Sequence, residues 1–431
     1  MSEADEKLFR IKKLLPAVKN LVKSGPGQMK TEPMALATGF DSTTVNPSAP
    51  EAANSSLEVD KLIVKRKPRA ERDPKEREHW AIELRKLYAE DSRQWPAPTI
   101  DKEVKWQEVG LLPDVIHPSE NPYSLAKEKL GHALFFDPRL SGSGQMACAS
   151  CHDPDLGWAD GRTTSFGHSR KMLARNAPSI RNSGFFKSLY WDGRAISLED
   201  QAVKVLSNQD EMRSSETHLV SVLQQSPRYK VMFLDAFGEE SVSMQRVTQA
   251  IACFERTIVG GSSRFDAFVK GKTTVFSDSE LIGLDLFRRE ARCMNCHNGP
   301  LFSDNDFHDI GLSNFGRRFE DLGRFQFTKD PSDSGKFRTP SLRHVTKTLP
   351  LMHNGLFELP VVLNLYNVGM PIVKRRDVDK DVLYFPTKSS RVQPLGLNKQ
   401  DLSDLAAFLA TLEEPHRRVE PPKLPDFDQS E

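Results

Sequence analysis

The sequence has no hydrophobic run long enough to cross a membrane, because no stretch approaches the roughly 18 apolar residues that a spanning helix requires. Cysteine is scarce, with five in 431 residues, and this excludes a disulfide scaffold. Neither sign of charge is in excess, since 60 lysines and arginines stand against 59 acidic residues and leave a net charge of +1. That balance argues against a nucleic-acid-binding protein, whose surface would be strongly basic. The first residues also lack the apolar core of a secretory signal.

The first hundred residues differ in composition from the rest of the chain. Residues 24–56 are rich in proline, serine, threonine, alanine and glycine, and such a segment cannot bury enough apolar surface to offset the entropy of ordering. Residues 61–77 carry dense charge of both signs, and residues 78–89 have an apolar stripe at helical spacing. This helix is either solvated or an arm that docks on a partner or on the rest of the molecule. We therefore expect residues 1–100 to form an irregular, flexible and charged N-terminal extension.

From about residue 120 the pattern is that of short helices separated by loops rich in glycine and proline. Ser277 and Glu280 have the spacing of a capping box, and Asn398 is placed to cap the last helix. Alternating strand patterns are scarce, so the sequence predicts a mainly α fold. Residues 134–160 and 286–304 form a weak internal repeat, which predicts two similar small domains.

Four of the five cysteines form two Cys-x-x-Cys-His motifs, one made of Cys148, Cys151 and His152 and the other of Cys293, Cys296 and His297. This is the attachment signature of c-type haem, in which both thiols reach one porphyrin and the adjacent imidazole lies under the iron. A zinc site would place its cysteine pairs roughly 15–20 residues apart, and these motifs lie much farther apart. A redox dithiol does not require the histidine. The motifs predict two covalently bound haem c groups, and we interpret the remaining Cys253 as a buried apolar residue.

The segments around these motifs match a known family in order and spacing. They are LGHALFFDPRLS at 130–141, RNAPS at 175–179, WDGR at 191–194, LEDQ at 198–201, DEM at 210–212, FRTPSLR at 337–343 and PLMHNG at 350–355. Over roughly residues 120–415 the sequence therefore resembles the bacterial diheme cytochrome c peroxidase and MauG family. The resemblance implies two cytochrome-c-like haem domains packed together, with one calcium ion between them. We expect the N-terminal, peroxidatic haem domain at 101–265 and the C-terminal, electron-transfer haem domain at 266–420.

The resemblance assigns the peroxide reaction to the haem of the first motif. Glu211 falls on the family's catalytic glutamate, and Gln201 falls on a glutamine of the same pocket. A carboxylate there can take a proton from one peroxide oxygen and return it to the other, which is general acid–base catalysis. Trp191 matches a tryptophan between the haems that would relay electrons, although an indole ring also serves as core packing. His168 lies where peroxidases carry a removable sixth ligand, a position that MauG-type relatives leave empty.

The resemblance also implies a calcium site and a sixth ligand for the second haem. Asn176 and the carbonyl oxygens of Thr348 and Pro350 match the family's calcium ligands, and oxygen donors are what this hard cation requires. On the second haem, peroxidases use a methionine and MauG-like enzymes use a tyrosine. Tyr366 matches the tyrosine after a one-residue deletion, and Met370 is the alternative. A phenolate stabilises oxidised iron, whereas His/Met ligation raises the reduction potential.

Three functions stay open at this point. The first is a diheme c-type peroxidase that reduces hydrogen peroxide with electrons passed from the C-terminal to the N-terminal haem, supplied by a small cytochrome c or cupredoxin. The second is a MauG-like enzyme that uses peroxide to oxidise tryptophan or tyrosine residues of a partner protein. The third is a non-enzymatic electron carrier, which would leave Glu211 and Gln201 without a role. Because haem of this type is attached outside the bacterial cytoplasm, we expect a periplasmic protein whose signal is not in this sequence, with a homodimer as one candidate assembly.

Overall fold

The computed structural model describes residues 68–425, and these all belong to one compact unit. The predicted linker at 24–56 and the charged segment up to residue 67 lie outside the described residues. Within the described range, the helices are too short or too polar for any of them to cross a membrane.

Helices make up most of the regular structure between residues 68 and 425. They are α1 (Pro74–Leu87), α2 (Leu125–Phe136), α3 (Leu198–Ser207), α4 (Glu216–Leu223), α5 (Pro227–Phe237), α6 (Met244–Glu255), α7 (Arg264–Val269), α8 (Asp278–Asp285), α9 (Phe325–Thr328), α10 (Leu359–Asn367) and α11 (Lys399–Ala410). Two short antiparallel strands, β1 (Phe307–His308) and β2 (Phe337–Arg338), pair with Phe307 opposite Arg338. The described chain is therefore helix-rich, as the sequence predicts.

The predicted helix caps are present. The hydroxyl of Ser277 accepts the backbone N–H of Glu280, and the Glu280 carboxylate accepts the backbone N–H of Ser277, so that α8 begins with a full capping box. Asn398 and Asp401 make the same reciprocal pair at the start of α11, over 2.9 and 3.0 Å. Each cap satisfies backbone donors that the first helical turn leaves without partners.

The buried hydrophobic side chains form two large cores. The buried members of the first core lie within residues 130–258. Those of the second core lie within residues 81–109 and 265–412. The division into haem domains at 101–265 and 266–420 stays a prediction. The two cores support a boundary near residue 260, and they place residues up to Val109 with the second core.

Each core contains a pair of helices that cross at a glycine, which agrees with the internal repeat in the sequence. A Cβ atom at Gly131 of α2 would lie 1.9 Å from the carbonyl oxygen of Ala250 on α6. A Cβ atom at Gly283 of α8 would lie 2.0 Å from the carbonyl oxygen of Asp404 on α11. Only glycine allows the two backbones to approach this closely. In each core, one helix of the pair precedes the Cys-x-x-Cys-His motif in the chain and the other helix follows it.

The first described helix packs against the second core. Leu84 of α1 is fully buried there. Arg77 donates to the buried carboxylate of Asp404 over 2.6 Å, and Arg69, which precedes the helix, donates through Nε to Asp401 over 2.6 Å. Of the two alternatives for this segment, the structure therefore shows the arm docked on the rest of the molecule.

Candidate active site

The first Cys-x-x-Cys-His motif folds as a tight turn that fixes its histidine. Cys148–Ser150 is a 3₁₀ turn, and the backbone N–H of His152 donates to the carbonyl of Cys148 over 3.0 Å. The Nδ1 atom of His152 lies 3.2 Å from the carbonyl oxygen of Trp158. A carbonyl acceptor at Nδ1 requires the proton there, which leaves Nε2 of His152 as a free lone pair for a metal.

The second motif repeats this geometry. Cys293–Asn295 is a 3₁₀ turn, and the backbone N–H of His297 donates to the carbonyl of Cys293 over 2.8 Å. The Nδ1 atom of His297 lies 3.0 Å from the carbonyl oxygen of Phe302. Two imidazoles are thus oriented in the same way, each with Nε2 available to iron.

The first motif lines a cavity of about 1070 Å³. Cys148 and His152 lie in its wall, together with three residues singled out in the sequence, Gln201, Glu211 and Trp191. This volume slightly exceeds the roughly 300–1,000 Å³ of ligand pockets in general. The structure therefore brings the predicted catalytic residues and the first motif to one space large enough for a large cofactor.

Glu211 is the carboxyl group of this cavity that the sequence predicts to move protons. Burial raises its pKa above the ordinary value of 4.5, and the nearby positive charge of Arg194 opposes the rise. The amide of Asn208 donates to Oε1 of Glu211 over 3.0 Å, which holds one carboxylate oxygen in place. A carboxyl group with a raised pKa is closer to the operating pH and is better suited to exchange protons.

His168 is not among the residues that line the first cavity. Its Nε2 accepts a hydrogen bond from Arg213 over 3.1 Å, and its backbone N–H donates to the carbonyl of Asp210 over 2.9 Å. Ligation of the first haem by His168 stays a prediction, and this arrangement gives it no support.

The second motif lines a smaller cavity of about 220 Å³. Cys293, His297 and Tyr366 lie in its wall, and burial raises the pKa of the Tyr366 phenol above its ordinary value. Met370 is not among the lining residues; it is 3% exposed in a small apolar cluster against which Tyr366 packs. Met352, which the sequence analysis did not single out, does line this cavity.

Several side chains line both cavities, and the most prominent are Trp191, Arg338 and His353. The indole N–H of Trp191 donates to the carbonyl oxygen of Asn176 over 2.9 Å. The ring of His353 stacks on Phe337 with 3.7 Å between centroids, and its centroid lies 6.4 Å from that of Trp191. The cavities thus share one wall, and Trp191 is part of it; its role as a relay between two haems stays a prediction.

Comparison with known proteins decides the family. The sequence model of the di-haem cytochrome c peroxidases matches residues 125–274. The methylamine utilization protein MauG of Methylophilus methylotrophus is 39% identical over 316 residues, which are 72% of this chain and 89% of the relative. The cytochrome-c peroxidase IdrP1 of Pseudomonas sp. (strain SCT) is 36% identical over 331 residues, which are 70% of this chain and 84% of the relative. The chain belongs to the di-haem cytochrome c peroxidase and MauG family.

Solved structures agree with this assignment. A MauG-like protein associated with microbial copper homeostasis matches with a TM-score of 0.64 and 33% identity, over 72% of this chain and 95% of that chain. The diheme peroxidase BthA of Burkholderia thailandensis matches with a TM-score of 0.57 at 24% identity, which shows the fold alone. Family membership makes the protein an oxidoreductase and implies two haem c groups. The alternative of a non-enzymatic electron carrier is therefore not retained.

The residues present fit these cofactors. All four motif cysteines are free thiols rather than disulfides. Burial raises the pKa of Cys151 to about 11 and that of Cys148 further, so both stay protonated at neutral pH. In each motif two thiols and one available imidazole nitrogen line the same cavity, which is the donor set that covalent haem attachment requires.

The predicted calcium ligands all belong to the wall of one cavity. Asn176, Thr348 and Pro350 all line the second cavity. The Nδ2 of Asn176 donates to the carbonyl of Arg162 over 2.7 Å, which turns its Oδ1 the other way and leaves that oxygen available to a cation. Calcium binding at these residues stays a prediction.

Sequence reasoning missed two buried ionisable residues in the cavity walls. Glu255 of α6 is 5% exposed and lines the first cavity, and burial raises its pKa to about 8. Arg338 is 4% exposed and lines both cavities. Its segment, FRTPSLR, carries part of the family resemblance, but a charged residue gives no sign in the sequence that it will be buried.

Proposed function

We propose that this protein is a diheme c-type peroxidase that reduces hydrogen peroxide at the haem of His152. The observation that carries the proposal is the shared cavity of the first motif, where Glu211 and Gln201 lie in the same wall as His152. When bound, the haem iron supplies the electrons and the open coordination position that peroxide reduction needs.

Glu211 performs the proton chemistry in this proposal. Its carboxylate accepts the proton of one peroxide oxygen and returns it to the other as the O–O bond breaks. The bond from Asn208 to Oε1 keeps Oε2 free for that exchange. Gln201 lies in the same wall, where its amide is suited to orient the peroxide by hydrogen bonding.

A haem held by His297 would take up electrons and a haem held by His152 would deliver them to peroxide, with Trp191 as the relay between the two sites. The support is that Trp191 belongs to the wall of both cavities and is held by its bond to the Asn176 carbonyl. A small electron-donor protein, such as a cytochrome c or a cupredoxin, delivers them in a periplasmic setting. Calcium on Asn176, Thr348 and Pro350 stabilises the same wall.

A second candidate function is the MauG-like oxidation of tryptophan or tyrosine residues in a partner protein. It is favoured by the position of Tyr366, which lines the second cavity while Met370 does not. The absence of His168 from the lining of the first cavity points the same way. In this alternative Tyr366 is the sixth ligand of the second haem. The enzyme then takes its electrons from tryptophan or tyrosine residues of the partner protein rather than from an electron-donor protein.

Glu211→Gln tests the proposal. General acid–base groups contribute about 10²–10⁴-fold, so peroxide turnover should fall by that order while both haems remain bound. Glu240→Gln, a change at an exposed carboxylate that lines neither cavity, serves as the matched control. Turnover of Glu211→Gln within a few-fold of the parent enzyme would show that another group breaks the O–O bond.

The resting spectrum separates the two candidate functions. An electron paramagnetic resonance spectrum of the fully oxidised protein should show a high-spin first haem if its sixth position is open, as in the MauG-like alternative. Only low-spin signals would support a peroxidase whose first haem must be opened by reduction of the second.

A further inference from the structure

We propose that Arg338 is the shared counter-charge for the carboxylate side chains of both haems, and that it raises the reduction potentials of the two irons together. The inference requires the two haems that family membership implies. It does not require the peroxide chemistry, so it can fail or hold independently of the proposed function.

The first observation is that Arg338 is the exception among the buried arginines of the described chain. Three others are paired with carboxylates: Arg256 with Glu199 over 2.7 Å, Arg343 with Asp266 over 3.1 Å, and Arg288 with Glu108. Arg338, at 4% exposure, has no such ion pair. A buried charge without a counter-charge is strongly destabilising, so an anion from outside the chain is expected here.

The contacts that Arg338 does make are weak and uncharged. Its Nε donates to the carbonyl of Tyr190 over 3.4 Å, and its Nη1 donates to the carbonyl of Thr339 over 3.3 Å. The guanidinium lies 4.1 Å from the centre of the Phe186 ring. Burial lowers the pKa of Arg338 to about 10, with no acidic group opposing the effect. These contacts leave most of its five N–H donors unused.

The acids in the wall of the first cavity form no ion pair with Arg338, and three of them are engaged elsewhere. Asp192 and Asp321 both line the first cavity, and both pair with Arg175, over 2.6 and 2.7 Å. Glu211 is held by Asn208. The protein therefore offers Arg338 no carboxylate of its own among these groups.

The position of Arg338 identifies the missing anion. Strand β2 holds it beside the proposed relay residue, since its backbone N–H donates to the carbonyl of Trp191 over 2.8 Å. Its side chain lines the cavity of Cys148 and also that of Cys293. A porphyrin of the haem type carries carboxylate side chains at one edge, and a guanidinium binds carboxylates through paired N–H donors. Because both cavities meet at Arg338, one carboxylate from each haem can share it.

A shared cation has a measurable consequence for the irons. Oxidation adds a positive charge to a haem, and a nearby fixed positive charge disfavours that state. Loss of the charge of Arg338 should therefore lower both midpoint potentials. At a separation of about 10 Å and an effective dielectric constant of about 20, the change is roughly tenfold in each reduction equilibrium, or about 59 mV for a one-electron couple.

The test compares Arg338→Met and Arg338→Lys by spectroelectrochemical titration of both haems, with haem content confirmed by mass. Arg338→Met should lower both potentials, and Arg338→Lys, which keeps the charge, should restore most of the shift. Arg288→Met is the control, because it also removes a buried guanidinium but lies outside both cavity walls. It should reduce stability and leave both potentials in place.

Three results would overturn the proposal. Unchanged potentials in fully loaded Arg338→Met would show that its charge does not act on the irons. A shift at one haem only would show that the charge is not shared. Equal shifts in Arg288→Met would assign the effect to general loosening of the fold. If Arg338→Met does not load haem, Arg338→Gln is measured in its place. Resonance Raman spectra of the parent and Arg338→Lys proteins give a second readout, because the bands of the haem carboxylate side chains should differ between them at both haems.

Discussion

Trp191 donates its indole N–H to the backbone carbonyl oxygen of Asn176, with 2.9 Å between the two atoms. The side chain of Asn176 is a predicted calcium ligand, and its amide is turned by the bond to Arg162. The proposed relay and the proposed cation site are therefore mechanically linked through one residue. This link makes both of them accessible to experiment.

Trp191→Phe removes the N–H donor and part of the ring from the wall that separates the cavities. We expect electron transfer from the second haem to the first to become slower, while haem content and the spectrum of each haem change little. Stopped-flow absorbance after mixing the half-reduced enzyme with peroxide measures this step. Trp106→Phe, at a half-exposed position outside both walls, should leave the rate unchanged. An unchanged rate in Trp191→Phe would mean that the indole is packing alone.

Removal of calcium should loosen the same wall. With a chelator such as EGTA, we expect turnover to fall and to return when Ca²⁺ is added back. Asn176→Ala should raise the Ca²⁺ concentration needed for half-maximal recovery, whereas Asn176→Asp, which keeps a side-chain oxygen and adds charge, should not. Turnover that is indifferent to the chelator in the parent protein would contradict a functional cation at this site.

The sequence predicted those parts of the site that are encoded locally. A Cys-x-x-Cys-His motif determines its own turn, because the bonds from His152 and His297 to the preceding cysteine carbonyls span four residues. The capping residues Ser277 and Asn398 are recognisable for the same reason. Glu211 was placed only through the family resemblance, since a single glutamate in an acidic turn has no local signature.

What sequence reasoning could not supply depends on long-range packing. The charged segment that contains Arg77 has the composition of a solvated arm. Arg77 nevertheless donates a hydrogen bond to the buried carboxylate of Asp404, which is far away in the sequence. Arg338 is buried only because β1 and β2 and the Trp191 loop meet around it. Neither Tyr366 nor Met370 could be preferred from composition, because the choice depends on whether the end of α10 or the turn that follows it faces the cavity.

The raised pKa of Glu211 predicts the acid side of the pH profile. Glu211 must be ionised to accept the peroxide proton, and its ionised fraction falls as the pH drops below its pKa. Because burial raises that pKa above 4.5, kcat/KM for peroxide should decline at a higher pH than an ordinary glutamate would give. Steady-state rates against pH provide the measurement. Glu240→Gln should show the same decline of kcat/KM at acid pH. If the residual activity of Glu211→Gln declines in the same pH range, the decline belongs to another group.

Docking of α1 predicts a stability effect far from the haems. Arg77→Ala leaves Asp404, which is 1% exposed, with a hydrogen bond from Ser279 but without its cationic partner. We expect the free energy of unfolding to fall by about 1–3 kcal/mol, as measured by urea denaturation of the holoprotein. Arg85→Ala breaks an exposed pair with Asp278 and should change it by about 0–1 kcal/mol. Equal effects of the two substitutions would mean that α1 does not depend on the buried carboxylate.

The identity of the second haem's sixth ligand separates the two candidate functions, and the structure makes the test specific. Tyr366 lines the second cavity, whereas Met370 is buried in the apolar cluster against which Tyr366 packs and does not line the cavity. If the phenolate is the ligand, the second haem should be low-spin with a low potential, because a phenolate stabilises oxidised iron. Tyr366→Phe should then raise that potential and alter its paramagnetic resonance signal, with the first haem unaffected.

Met370→Leu is the matched comparison, since it exchanges one apolar side chain for another of similar size. With Tyr366 as ligand it should leave the second haem's potential and spectrum as they are. With Met370 as ligand the pattern reverses: Met370→Leu lowers the potential, Tyr366→Phe is nearly silent, and the protein behaves as a peroxidase that needs half-reduction first. Met352→Leu completes the set, because Met352 also lines the cavity and offers a thioether. A large potential change in Met352→Leu alone would exclude both residues that the sequence suggested.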